Sequence, residues 1–280
     1  MNLENRVLKL ALSLTAFSVF TAATVFAKPN SYSMYHFILG NLCENEGNLK
    51  CAQENYIKSL NCDESPYLQN AIGRILVKDR KLDLALVYFK NSTNLDDEFI
   101  DAHKSIASIN IMQKDYNDAL NEAYFILSRN PNDSLALRYV GESKFNLKDF
   151  PEAKKHFKKV ISLKDNTLDC MLSYYRLGII NFQENNFNDS INNLKQLLSL
   201  VDEDNPNDRL IAYESICFIS LSHYSLKDYQ NAKDNFMSLN FALEHEENKA
   251  IVEYIYNIIK KQKLIDKLKE VTEEENIKTK

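Results

Sequence analysis

A short phrase returns six times along this chain at nearly constant spacing, and a chain with such a period folds as a row of like units rather than around one central core. Its sharpest copies are Lys114-Asp115-Tyr116-Asn117-Asp118-Ala119, Lys148-Asp149-Phe150-Pro151-Glu152-Ala153, Asn185-Asn186-Phe187-Asn188-Asp189-Ser190 and Lys227-Asp228-Tyr229-Gln230-Asn231-Ala232. Looser copies are Gly47-Asn48-Leu49-Lys50-Cys51-Ala52 and Arg80-Lys81-Leu82-Asp83-Leu84-Ala85. The final residues Ala52, Ala85, Ala119 and Ala153 are spaced 33, 34 and 34 apart, and Ser190 and Ala232 follow after 37 and 42. Those excesses predict small insertions before the fifth and sixth units. Twelve residues before each final residue stands an aliphatic–small pair: Leu39-Gly40, Ile72-Gly73, Ile106-Ala107, Val140-Gly141, Leu177-Gly178 and Ile219-Ser220. Four residues after it stand Tyr56, Phe89, Ala123, Phe157, Leu194 and Phe236, so the third unit departs from the large side chain.

The units are helical. Five glycines and five prolines in 280 residues are too few for the turns of a strand-rich chain. Glycine within a helix costs about 1 kcal/mol relative to alanine. Four of the five glycines nevertheless occupy one repeat position, which predicts that the two helices of a unit approach closely there. Gly47 falls in the turn between helices, where a positive φ is useful. Pro66 and Pro131 fall between units, Pro206 in the sixth unit's insertion, and Pro151 in a helix's first turn, where its missing N–H costs nothing.

In these phrases the chain resembles the tetratricopeptide-repeat family, whose units of 34 residues are helix–turn–helix hairpins with small residues where helix A meets helix B. The resemblance covers residues 33–246 and implies an all-α fold, an α-solenoid of six such repeats over 33–65, 66–99, 100–133, 134–167, 171–204 and 213–246. A short linker, 28–32, precedes them. Residues 247–280 read as a capping helix with a polar tail. From Lys249 to Val271, Ile251, Ile255, Ile258, Ile259, Ile265 and Leu268 form one apolar stripe, and Lys260, Lys261, Lys263, Lys267 and Lys269 lie mostly off it.

The resemblance further implies a concave groove, lined by the A helices, that binds a protein or peptide segment. By repeat register its lining is Asn70, Arg74, Lys78, Lys104 and Ser108, then Arg138, Glu142, Phe145, Tyr175, Ile179, Phe182, Leu221 and Tyr224. The first group is polar and partly basic, the second largely aromatic and aliphatic. Chaperone-binding members of the family clamp a C-terminal carboxylate with two lysines, two asparagines and an arginine. The matching positions here are Lys104, Ser108, Tyr139, Leu172 and Arg176; two of five agree, so that clamp is absent.

The first 27 residues are a separate object. Arg6 and Lys9 precede an uncharged run, Leu10–Ala27, which ends in Val25-Phe26-Ala27, a fit to a signal-peptidase site. Residues 1–27 read as a secretory signal, and the same run is long enough to be a retained membrane anchor. Export permits disulfides. Cys43 and Cys51 stand at equal distances on either side of the first A–B turn, where antiparallel helices can bring them within bonding reach; the other reading makes Cys43 a small core residue with Cys51 nearby.

A net charge of −5 gives no basic balance for nucleic acid. His36, His103, His156, His223 and His245 share no pattern, and the metalloprotease, P-loop, nucleophile-elbow and dinucleotide motifs are missing. The acidic run Asp202–Asp208 lacks the glycine and terminal glutamate of a calcium loop and reads as a solvated loop with Asp208 capping the next helix. No cofactor, metal or catalytic residue is assigned. The expected function is a non-enzymatic adaptor of the periplasm or cell envelope, or a secreted one, that binds a protein segment. The alternative is a membrane-tethered structural part of an envelope assembly or secretion complex.

Overall fold

A computed structural model describes residues 31–164 and 167–269. The expected signal or anchor and the polar end of the chain lie outside the described residues. The described residues are helical, hold no strand, and fall into two compact units that divide after Arg129. The first unit holds three hairpins: α1 (Ser31–Asn45) with α2 (Leu49–Leu60), α3 (Pro66–Lys78) with α4 (Leu82–Leu95), and α5 (Ile100–Gln113) with α6 (Tyr116–Arg129). The second holds α7 (Ser134–Asn146) with α8 (Phe150–Leu163), α9 (Thr167–Gln183) with α10 (Phe187–Leu198), and α11 (Pro206–Ser225) with α12 (Tyr229–Glu244). It ends in α13 (Lys249–Lys261) and a helical stretch over 264–269. Within each unit successive hairpins stack in chain order, the all-α solenoid arrangement of helix–turn–helix repeats.

One backbone device ends the A helix of each of these hairpins. Gly47, Arg80, Lys114, Lys148, Asn185 and Lys227 all have φ between 59° and 75°. Each donates its N–H to the carbonyl three residues back, and the next residue donates to the carbonyl five back, as in Asp115 to Asn110 at 2.7 Å. These paired bonds satisfy carbonyls that the helix end would otherwise leave open. In three hairpins that next residue also caps helix B: Asn48, Asp149 and Asp228 accept from the N–H groups of Cys51, Glu152 and Asn231. The recurring Lys-Asp-aromatic phrase is therefore a left-handed turn residue, a cap and the first residue of a helix.

The second recurrence is a contact. A Cβ on Gly40, Gly73 or Gly141 would lie 2.6 Å from the ring of Tyr56, Phe89 or Phe157, and one on Gly178 would lie 2.5 Å from Leu194. Glycine is required because the large side chain of helix B rests on the helix A backbone. The third repeat places Ala107 and Ala123 at these two positions, both fully buried. In the sixth, the Ser220 hydroxyl donates to the Ala232 carbonyl at 2.6 Å, which satisfies the polar group inside the contact.

Several boundaries differ from the sequence reading. α1 begins at Ser31, inside the stretch expected to be linker. The two insertions become extra turns of helix: α9 starts at Thr167 and α11 at Pro206, ahead of the expected 171 and 213. Asn205, not Asp208, caps α11, with its side chain accepting from the Asn207 N–H. Asp208 is buried in the first turn and accepts from the Asp202 N–H at 3.2 Å, which folds the acidic loop onto the helix. The single helix expected over Lys249–Val271 is broken at Lys263, whose φ is 53°. After the break Leu264 and Leu268 turn inward, and Ile265, expected on the buried stripe, faces solvent.

Candidate functional site

The A helices carry the side chains expected to line a groove, and the structure divides them into accessible and internal ones. In the first unit, Arg74 and Lys78 of α3 both donate to Glu44 of α1, at 3.2 and 2.8 Å. The Tyr56 hydroxyl donates to the same carboxylate at 2.8 Å. Burial alone would raise the Glu44 pKa, but the hydrogen bonds from Lys78 and Tyr56 and the charge of Arg74 together hold it below the usual carboxylate range. Arg74 and Lys78 remain half exposed. Lys104 and Ser108 are half-buried on α5. Asn70 is buried, which removes it from an open lining.

In the second unit, polar links join one A helix to the next. Arg138 of α7 pairs with Asp169 of α9. Arg176 Nε of α9 lies 2.9 Å from both carboxylate oxygens of Glu142 on α7, and its guanidinium stands 4.9 Å from the centre of the Phe145 ring. Tyr175 of α9 hydrogen bonds to Glu214 of α11. Burial, then the charge of Glu214, pushes the Tyr175 hydroxyl well above its ordinary value. Burial also raises the Glu214 carboxyl, a change that Tyr175 and Arg176 only partly oppose. Arg209 of α11 holds Glu246, just past α12, through two hydrogen bonds of 2.9 and 3.3 Å.

The aromatic members have a local partner. Phe145 packs on Phe150, Phe182 on Phe187 and Tyr224 on Tyr229, with ring centres 5.7–5.8 Å apart. In each case the last turn of helix A meets the first residue of helix B across the turn. Phe145 is buried by this packing, and Glu142 by its pairing with Arg176. Ile179 and Leu221, the latter only 1% exposed, belong to the core. These four, like Asn70, are corrections to the expected lining: stacked neighbouring A helices cover positions that a single helix would leave open. Tyr175, Phe182 and Tyr224 stay half-buried and form the aromatic row of the second unit. Phe218 of α11 supports Phe182 at 5.2 Å.

Sequence reasoning missed Glu44, Asp169 and Glu214. A usable signal existed: Glu44 and Lys78, like Glu142 and Arg176, are opposite charges 34 residues apart, one repeat period.

Cys43 of α1 and Cys51 of α2 are joined by a disulfide with Cα atoms 5.7 Å apart. Cys62 is exposed and free; Cys170 and Cys217 are buried thiols. Burial, then the charge of Glu214, pushes the Cys217 thiol up to about 12, so it stays protonated and inert at neutral pH. His103 has both ring nitrogens occupied, by Glu122 at 2.6 Å and the Asp97 carbonyl at 3.0 Å. Among the described residues, no three His, Cys, Asp or Glu side chains are grouped to hold a metal, and no helix is long and apolar enough to cross a membrane.

No protein-family model and no curated protein sequence matches the chain. Solved structures do. A tetratricopeptide repeat protein from Parabacteroides merdae ATCC 43184 superposes with a TM-score of 0.65 at 17% identity, over 85% of this chain and 90% of that one. PilF of Pseudomonas aeruginosa gives 0.63 at 14% identity, over 81% and 97%. PilW, a widely conserved type IV pilus biogenesis factor, gives 0.51 at 16% identity, over 60% and 77%. The fold of this chain is that of tetratricopeptide-repeat proteins.

Proposed function

From a chain with the tetratricopeptide-repeat fold, we propose a protein-interaction scaffold of the cell envelope that holds a segment of another protein against the A-helix face of its second unit. The observation that carries this reading is the half-buried row Tyr175, Phe182 and Tyr224. Aromatic side chains that already sit in fixed packing lose little entropy on binding and dominate interface energetics. The charges nearby, Arg138, Glu142 and Arg176, are paired with each other or with Asp169, and the Lys267 ammonium stands 5.8 Å from the centre of the Tyr224 ring. In the first unit the half-exposed Arg74 and Lys78 offer a separate, basic face.

Three facts favour the envelope. Residues 1–27 have the pattern of an export signal or anchor. A disulfide such as Cys43–Cys51 persists in oxidising compartments. Among the proteins that share the fold, PilW is a pilus biogenesis factor. Mass spectrometry of the native N-terminus separates the two forms: a chain starting at Lys28 is a released adaptor, and one retaining Met1 is tethered.

Groove binding is tested with a photoreactive phenylalanine derivative at position 224 or at the exposed Tyr124 of α6, irradiated in the native envelope. A discrete adduct is expected at 224 and not at 124. In a binding assay with the captured partner, Tyr224→Ala is expected to weaken affinity roughly tenfold. Equal labelling at both positions, or unchanged affinity accompanied by a lower Tm, would show that the row serves the core alone.

A further inference from the structure

Glu214 of α11 is a half-buried carboxylate beside Tyr175, the first member of the aromatic row. Two carboxylates share one guanidinium here. Arg176 Nε lies 2.9 Å from both oxygens of Glu142, and Glu142 is buried, so that pair is closed. Glu214 feels the charge of Arg176 without a hydrogen bond from it. Among the described residues Tyr175 is its one hydrogen-bond donor, and no cation other than Arg176 acts on it. An ionised carboxylate can accept about four hydrogen bonds. The Lys267 ammonium belongs to the other end of the row, at Tyr224.

Burial therefore outweighs the help that Glu214 receives, and its carboxyl is held above the ordinary value. Such a group destabilises the free fold at neutral pH. An ionisable side chain kept at the expense of stability points to a use beyond folding. Its surroundings suit a cation. Tyr254 of α13, 47% exposed, stands close enough for Glu214 and Arg176 both to act on its hydroxyl, and an aromatic face attracts positive charge. Phe218 lies one turn beyond Glu214 on α11 and packs on Phe182 at 5.2 Å, so a half-buried apolar surface adjoins the carboxylate.

On the reading that the A-helix face of the second unit holds a protein segment, we propose that Glu214 receives a lysine or arginine side chain of that segment, beside the rings of Tyr175 and Tyr254, while a neighbouring apolar residue lies on Phe182. The incoming cation is the partner that Arg176, committed to Glu142, does not supply. The pair forms where water is already partly excluded, which strengthens it over an exposed ion pair. A neutral or acidic side chain at the same place leaves the carboxylate desolvated and unpaired, and the position selects by that difference.

A display library of random short peptides, panned on the immobilised full chain, tests this. Peptides that the wild-type chain retains and Tyr224→Ala does not belong to the A-helix face. They are expected to share one lysine or arginine next to an apolar residue. The commonest is then synthesised with its basic residue and with norleucine in its place. On the wild-type chain norleucine is expected to weaken binding roughly tenfold. On Glu214→Gln the two peptides are expected to bind nearly alike, because the coupling lies in the charge pair. Glu214→Gln thus loses affinity for the basic peptide while gaining Tm, opposite signs that a purely structural link between α9 and α11 does not produce. Tyr254→Leu, at an exposed position, is expected to weaken the basic peptide roughly threefold and to spare the norleucine one; it repeats the test should Glu214→Gln fail to fold. Retained peptides with no shared basic position, or an equal norleucine penalty on both chains, overturn the role of Glu214 and leave the A-helix face standing. So does a lower Tm of Glu214→Gln with unchanged preference. Panning in which Tyr224→Ala retains the same peptides overturns the A-helix reading itself, and the role of Glu214 with it.

Discussion

Gly141 and Phe157 act as one unit of information, since neither residue makes sense without the other. Alanine at 141 would drive its Cβ to 2.6 Å from the Phe157 ring, and overpacking of this kind costs about 1–3 kcal/mol. Phe157→Ala removes a fully buried ring and costs about 3–5 kcal/mol. The double variant places alanine against alanine, which the third repeat does with Ala107 and Ala123. Its loss in urea unfolding is expected to fall short of the sum of the single losses by about 1 kcal/mol or more. Strict additivity would mean that glycine is there for some other reason. This pairing was legible beforehand as a glycine and an aromatic sixteen residues apart, and even the exception at Ala123 obeys it. The polar links were not legible in the same way. Glu214, lengthwise remote from Tyr175, becomes its partner only when α9 and α11 lie side by side. Its raised pKa has a definite consequence. Glu214 is more easily protonated in the folded chain, so its contribution is fully present below the ordinary value of 4.5 and is lost as pH rises through the higher folded value. Glu214→Gln is therefore expected to raise Tm at pH 7, with the gain vanishing as pH falls below 4.5. A gain that is the same at both pH values would show that the carboxylate is not desolvated.

At the scale of helices and turns, the repeated break in the backbone matters more than any single side chain. The left-handed residue recurs in the A–B turn of all six repeats, yet only one of the six is glycine. The sequence reading expected a positive φ at Gly47 alone, because lysine, arginine and asparagine in a polar turn look like ordinary solvated residues. Five of the turns thus carry a side chain in a region that disfavours one by about 1–2 kcal/mol. Lys148→Gly is expected to stabilise the chain by up to about 1 kcal/mol, whereas glycine at Lys144, four residues earlier in α7, should destabilise by a similar amount. Denaturant midpoints measured on the two variants check the contrast; a loss in both would mean that Lys148 contributes through its charge. The same physics explains the boundaries that were missed. Extra residues before repeats five and six could be loop or helix by composition, and capping by Asn205 with Pro206 in the first turn makes the second of them helix. The bend at Lys263 had no sequence signal, since Gln262 and Lys263 both suit a helix interior.

At the scale of the molecule, stability in stacked hairpins is a sum of repeat terms and nearest-neighbour contacts, so damage to one hairpin fades with distance along its stack. Among the described residues the first hairpin has a neighbouring hairpin on only one side, and the Cys43–Cys51 bridge is the covalent tie that holds it closed. Closing a loop of sequence separation 8 restricts the unfolded chain enough to stabilise the hairpin by about 2–3 kcal/mol. Cys51→Ala removes the bridge at a half-buried site and leaves Cys43 in the core. Native-state hydrogen exchange within the first unit is expected to rise most in α1 and α2 and less in α3 and α4, with α5 and α6 changing least. Adding reductant to the wild-type chain should reproduce that gradient and have no further effect on Cys51→Ala. A uniform rise from α1 to α6 would show instead that the first unit opens as a single block; its three hairpins would then act as one globular core, and the pinning of α1 to α3 through Glu44, Arg74 and Lys78 would be the contact through which opening of the first hairpin spreads to the rest.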